Sequence, residues 1–207
     1  MKALVLTDIQ NDFCPGGALA VKEGDQIIPL VNHLQSHFEL IVATQDWHPN
    51  NHSSFAANHE GKEPGNIIDL NGLQQFLWPV HCVQGSHGAE FVITLNQEKI
   101  EHVFQKGVNP DIDSYSGFFD NGHRQSTGLG NYLKEKGVTE VYIVGLATDY
   151  CVKYTALDAH ELGFKTTVIK DACRGVEINQ GDVERTLEEM RQIGISVINS
   201  EEILKET

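Results

Sequence analysis

Six short runs of aliphatic and β-branched residues recur along the chain: "ALVLTDI" (3–9), "ELIVATQDW" (39–47), "HVFQKG" (102–107), "EVYIVGLA" (140–147), "KTTVIKDAC" (165–173) and "ISVIN" (195–199). Most are apolar at successive positions instead of alternating with polar ones, the pattern of strands covered on both faces. Between them the apolar period changes. Ile27, Val31, Leu34 and Phe38 share one helical face, with Asp25 as its N-cap and Pro29 in the first turn. Residues 151–163 place Val152, Thr155, Ala156, Ala159 and Leu162 on one stripe ending at Gly163, and Val183, Leu187, Met190 and Ile193 form another before Gly194. Strands alternating with helices predict right-handed crossovers and a mainly parallel sheet, an α/β fold in three layers. The stretch from 48 to 100 is polar, rich in histidine and weakly periodic, and is expected to form loops over one end of the sheet.

The length of 207 residues fits one domain spanning 1–207 and leaves little room for a second. Apolar residues make up 40% of the chain, and no window approaches the uninterrupted apolar length that a bilayer crossing requires. The start, "MKALVLTDIQ", reads as a strand and lacks a secretory cleavage site, so a cytoplasmic protein is expected. The formal charge of -14 repels nucleic acid and anionic membranes and suits a small neutral or cationic partner. Cys14, Cys82, Cys151 and Cys173 are too scattered for a disulfide framework and read, one by one, as small buried hydrophobes. A homo-oligomer is left open.

In an open parallel sheet, ligands bind beyond the carboxyl ends of the strands. Those ends carry Asp8, Asp46, Lys106 and the turn leading to Cys151. A cysteine in the first turn of a helix meets unpaired N–H groups, which lower a thiol pKa from about 8.5. Singly, Asp8 reads as an exposed strand-end carboxylate and Lys106 as a solvated lysine. Together with Cys151 they make a base, a charge partner and a nucleophile. The preceding "GLAT" offers a tight turn whose amides could face a developing oxyanion.

In "TQDWHPNNHSSF", Asp46 and His48 are two apart at a strand end and project to the same side, and His81 could close a site of one carboxylate and two imidazoles. That set suits one divalent ion, zinc first, with iron or manganese as alternatives. His52 and His59 are further candidates, and His87 reads as a solvated loop residue. Phe13, Trp78 and Tyr115 could form flat walls for a planar ring, although such residues are more often core anchors. "HCVQGSHG" is similar to the phosphate loop of cysteine phosphatases but has Gly88 where the phosphate-binding arginine is needed. A dinucleotide fold is disfavoured because "VLTDIQNDF" follows the first strand without a glycine-rich turn.

Five segments in order, "DIQNDFCPGGALAV", "QDWHPNNHSSFA", "WPVHCVQGSHGAEF", "KGVNPDIDSYSGFFDN" and "GLATDYCVKYTALDA", resemble bacterial nicotinamidases of the isochorismatase-like hydrolase superfamily. The resemblance runs from residue 3 to about 200 and implies a six-stranded parallel sheet with helices on both faces. It implies hydrolysis of nicotinamide to nicotinate and ammonia in NAD salvage, and of pyrazinamide. By motif it carries the catalytic triad to Asp8, Lys106 and Cys151, the metal ligands to Asp46, His48 and His81, and the ring-enclosing aromatics to Phe13 and Trp78. His52 stays an additional ligand candidate. A cis peptide is implied between Leu146 and Ala147, with the Ala147 and Cys151 amides as the oxyanion hole.

Overall fold

The computed structural model describes residues 1–205. In chain order the elements are β1 (Lys2–Thr7), α1 (Ile28–Leu34), β2 (Leu40–Asp46), β3 (Ile67–Leu70), β4 (Leu73–Phe76), β5 (His102–Lys106), α2 (Leu129–Glu135), β6 (Glu140–Leu146), α3 (Lys153–Glu161), β7 (Lys165–Arg174), α4 (Asp182–Gln192), β8 (Ser196–Ile198) and α5 (Glu201–Leu204). All six expected strands form one parallel sheet in the order β5-β2-β1-β6-β7-β8.

The near-continuous apolar runs follow from burial on both sides. Leu4 and Leu6 of β1 join one core with Val31 and Leu34 of α1, while Ala3 and Val5 join the opposite core with Leu129, Leu133, Ala156 and Met190. Two expectations need correction. The first helix is α only over Ile28–Leu34, between two 3₁₀ turns, so Phe38 lies beyond it and Asp25 makes no cap; Ile27 occupies that position. Pro29 near the helix start is compatible with this, since its missing N–H is unpaired there in any case. The stretch expected to be loops holds a small antiparallel hairpin, β3 with β4, in which Gln75 is buried.

The chain leaves β1 for β2 and β5 on one side, and later leaves β6 for β7 and β8 on the other. The connections leaving the neighbouring strands β1 and β6 therefore run to opposite sides from their paired carboxyl ends, where a doubly wound sheet opens a crevice. Asp8 follows β1 and the turn to Cys151 follows β6. The junction is tight: Gly145 has φ +121, and a Cβ there would sit 2.1 Å from the Thr7 carbonyl oxygen. The Leu146–Ala147 peptide that follows is cis. No described helix is long and apolar enough to cross a membrane.

Gly145→Ala is expected to cost at least about 3 kcal/mol, because the strained φ and a backbone collision add. Urea denaturation measures this, and an unchanged midpoint would mean that the β1–β6 junction relaxes freely.

Candidate active site

Adjacent strands set the site's centre by register. Asp46 and Lys106 are direct partners across β2 and β5, and Thr7 pairs with Thr44 and Gly145 on its two flanks. From these ends Lys106 Nζ reaches Asp46 Oδ1 at 2.5 Å, Asp8 Oδ2 at 2.8 Å, the Ser114 carbonyl at 2.9 Å and Cys151 Sγ at 3.4 Å. Lys106, Asp8 and Asp46 are 1%, 0% and 4% exposed. The expected trio thus meets around one sulfur: the Asp8, Asp46 and Cys151 donor atoms lie within 4.8 Å of one another.

Burial alone would neutralise all of these groups, and their mutual field decides which stay charged. For Asp46, burial pushes the carboxyl up, but Lys106 and His48 outweigh it and hold it well below the usual range. For Lys106, burial pulls the ammonium down, while Asp46, Asp8 and Cys151 carry it well above the ordinary lysine value. Asp8 is left raised, by burial first and by Asp46 next, against the pull of Lys106. Its Oδ1 accepts from Thr44 Oγ1 at 2.6 Å, and its Oδ2 pairs with the Lys106 ammonium at 2.8 Å. Oδ2 has no hydroxyl donor and is the oxygen on the side of the lysine that touches the sulfur.

The cysteine departs from expectation. Cys151 sits inside the turn 148–152, where the Tyr150 and Val152 amides both donate to the Ala147 carbonyl before α3 begins. Burial raises its thiol well above the usual value, and Lys106 offsets this only in part. The helix-start rule fails here because desolvation of a sulfur anion outweighs a partial backbone charge.

On the far side of Asp46 lie the histidines. Residues 48 and 82–84 continue the strand pairing, with the His48 amide donating to Cys82 and the Gln84 amide to His48, which brings His81 beside His48. His48 Nδ1 donates to the Gly107 carbonyl at 2.9 Å and His81 Nδ1 to the Pro79 carbonyl at 2.8 Å. A carbonyl only accepts, so each ring carries a proton on Nδ1 and Nε2 is the nitrogen that can serve a metal. Both aim at Asp46 Oδ2, at 3.4 and 3.7 Å. Ligands about 2.1 Å from a tetrahedral ion stand about 3.4 Å apart, so these residues fit a divalent metal.

His52 differs. Its Nδ1 accepts from the Ser54 amide at 3.2 Å and lies 2.8 Å from Ser54 Oγ, so the neutral ring carries its proton on the buried Nε2. Burial drops its pKa to about 4. It clusters with His48 and Asp113 instead of with Asp46 and His81. His59 turns to the Ser53 carbonyl, and His87 is exposed beside Glu90.

Cys151, Ala147, Asp46 and His81 line one cleft of about 390 Å³, whose walls include the expected Phe13, Trp78 and Tyr115. Trp78 Nε1 donates to the Tyr115 hydroxyl at 3.1 Å, and Gln75 reaches the same oxygen at 3.3 Å. Four lining residues were not singled out from sequence: Leu19, Asp113, Tyr150 and Val176. Asp113 had a signal, an acid seven residues after Lys106 in "KGVNPDIDSYSG". Asp149 holds the Val176 wall by accepting the Val176 and Glu177 amides.

The isochorismatase domain family matches residues 2–202. The chain is 52% identical to the nicotinamidase of Escherichia coli K12 over 95% of its length and 93% of that protein's. The solved Acinetobacter baumanii nicotinamidase/pyrazinamidase superposes with a TM-score of 0.95 at 51% identity, covering 98% of this chain and 97% of that one. The Pyrococcus horikoshii pyrazinamidase, solved in complex with zinc, gives 0.79 at 43% identity over 96% and 98%.

Lys106→Met would leave two facing carboxylates buried without their cation, an expected loss of about 3–5 kcal/mol. A urea midpoint equal to that of the parent chain would show that the carboxylates tolerate each other without it.

Proposed function

The chain belongs to the isochorismatase domain family and is a nicotinamidase, and from that premise we propose that it hydrolyses nicotinamide to nicotinate and ammonia through a thioester on Cys151. The observation that carries the reading is the layout of the cleft. The Cys151 thiol, touched by Lys106, shares one cleft with the Asp46 and His81 donors and with the aromatic walls Phe13, Trp78 and Tyr115, a lining that suits a flat ring bearing a carboxamide.

The resting thiol is protonated, so the reaction begins with Asp8 Oδ2 taking the Cys151 proton. The thiolate attacks the carboxamide carbon, and the new oxyanion faces the Ala147 and Cys151 amides. Lys106, hydrogen-bonded within the pair of carboxylates, keeps the field positive while negative charge moves from Asp8 to sulfur to oxygen. Asp8 then delivers its proton to the departing nitrogen, and the C–N bond breaks to release ammonia. Water, deprotonated by Asp8, cleaves the thioester, and the proton returns to sulfur. Phe13 and Trp78 enclose the ring, and the neutral Tyr115 phenol props Trp78 through the shared hydrogen bond. Asp46, His48 and His81 would hold one divalent ion, zinc first, whose open coordination position would anchor the pyridine nitrogen and fix the ring-to-thiol distance. His52, with its proton on Nε2, serves behind these ligands.

Pyrazinamide, a diazine carboxamide of the same outline, fits the same cleft. The four cysteines are all unpaired, in keeping with a reducing cytoplasm and a role in NAD salvage. We read residues 1–207 as one hydrolase domain.

Cys151→Ala is expected to lower ammonia release from nicotinamide more than about a thousandfold while nicotinate still binds. His48→Ala, or treatment with a chelator, is expected to weaken binding and turnover together. Ammonia assays paired with nicotinate titrations test this, and turnover surviving in Cys151→Ala would overturn the mechanism.

A further inference from the structure

Beyond the outer face of Tyr115, a second cleft of about 620 Å³ opens between the loop after β5 and helix α3. His123 from the loop and Asp158 from α3 line it, and the exposed Glu161 of α3 stands beside them, the three offering ligand atoms all within 4.8 Å of one another. A spacing of three places the two carboxylates on one helical face. His123 Nε2 lies 3.2 Å from Asp158 Oδ1, close to the edge of about 3.4 Å expected between ligands of a tetrahedral ion.

Two further observations separate this cluster from an ordinary surface ion pair. The His123 ring stacks on Phe119, with centroids 4.9 Å apart and planes at 21°, so the imidazole is oriented before anything binds. Asp158 is only 6% exposed and lines the cleft next to Ser116; burial raises its carboxyl against the pull of the Ser116 hydroxyl and His123, and its Oδ2 makes no hydrogen bond of ordinary geometry. A buried carboxylate oxygen without a donor is costly, and in native folds such an atom calls for a partner. His123 meets the other oxygen, while Glu161 adds a second negative charge beside the first. A divalent cation would answer both.

We propose that His123, Asp158 and Glu161 form a second divalent-metal site, separate from the one at Asp46, that takes zinc or a cation of similar borderline character. One imidazole and two carboxylates suit that class. The ion ties the loop carrying Tyr115 to α3, the helix that begins directly behind the Cys151 turn, and so braces one wall of the catalytic cleft from outside.

The test is a titration of the metal-stripped full chain with zinc chloride, read by calorimetry and equilibrium dialysis. The parent chain is expected to bind two equivalents. His123→Ala, a change at a half-exposed side chain, and Glu161→Gln should each weaken the second equivalent at least tenfold and leave ammonia release at one equivalent unchanged. His48→Ala should lose the other equivalent and keep this one. A parent chain that binds only one zinc, or variants at His123 and Glu161 that still bind two with parental affinity, would overturn the proposal.

Discussion

Lys106 carries a buried positive charge between two buried carboxylates, and the rest of the site is arranged around that inequality of one cation and two anions. Its nitrogen donates to Asp46, to the Ser114 carbonyl and to the sulfur, and pairs with Asp8 Oδ2 at 2.8 Å. Asp46 has the lysine and the histidines, and keeps its charge. Asp8 has the lysine and one hydroxyl, and is pushed up. Two acids of the same chemistry are thereby pushed in opposite directions by surroundings alone, which suits the proposed roles of Asp46 as a standing anion and Asp8 as the proton carrier.

The sheet makes this arrangement reproducible. Asp46 and Lys106 are register partners, so a slip of one residue in β5 would turn the lysine to the opposite core and destroy the cluster. Burial specifies that register even though β5 is the sheet's edge strand, since Phe104 and Lys106 share its buried side and Phe104 packs in the core with Leu129 and Leu133 of α2, while Gln105 faces the other way and is exposed. The packing of one phenylalanine therefore helps fix the electrostatics of the site.

What could be read from the sequence follows the same division. The six strands were legible because their runs are long, apolar and bounded, and Asp8, Asp46 and Lys106 were legible because each is the polar residue that stops a strand. The hairpin β3–β4 was not, since it is largely exposed and owes its place to contacts such as Gln75 with Asp113. Leu19, Tyr150 and Val176 escaped because loop residues reach the cleft through tertiary anchors, as Val176 does through Asp149. The thiol's direction of shift was misjudged for a related reason. Helix position is visible in a sequence, whereas the depth of a sulfur is not. The opposite tautomers of His52 and His81 depend on one amide and one carbonyl and carry no sequence signature.

Asp46 joins the two halves of the site through one side chain. Its Oδ1 meets the lysine that touches the sulfur, and its Oδ2 faces the two imidazoles. The proposed nucleophile and the proposed ring-anchoring donors are therefore bridged by one carboxylate and one lysine contact, both held at strand ends. A substrate that is itself rigid, an aromatic ring with its amide in plane, needs that constancy, because a ring held at one end cannot bend its carbonyl toward a displaced thiol. Loops supply the walls and the histidines, but the acid, the amine and the carboxylate between them stand at the ends of β1, β5 and β2, next to the turn that follows β6. This is why the polar residues at the strand ends must form one connected network instead of two neighbouring ones.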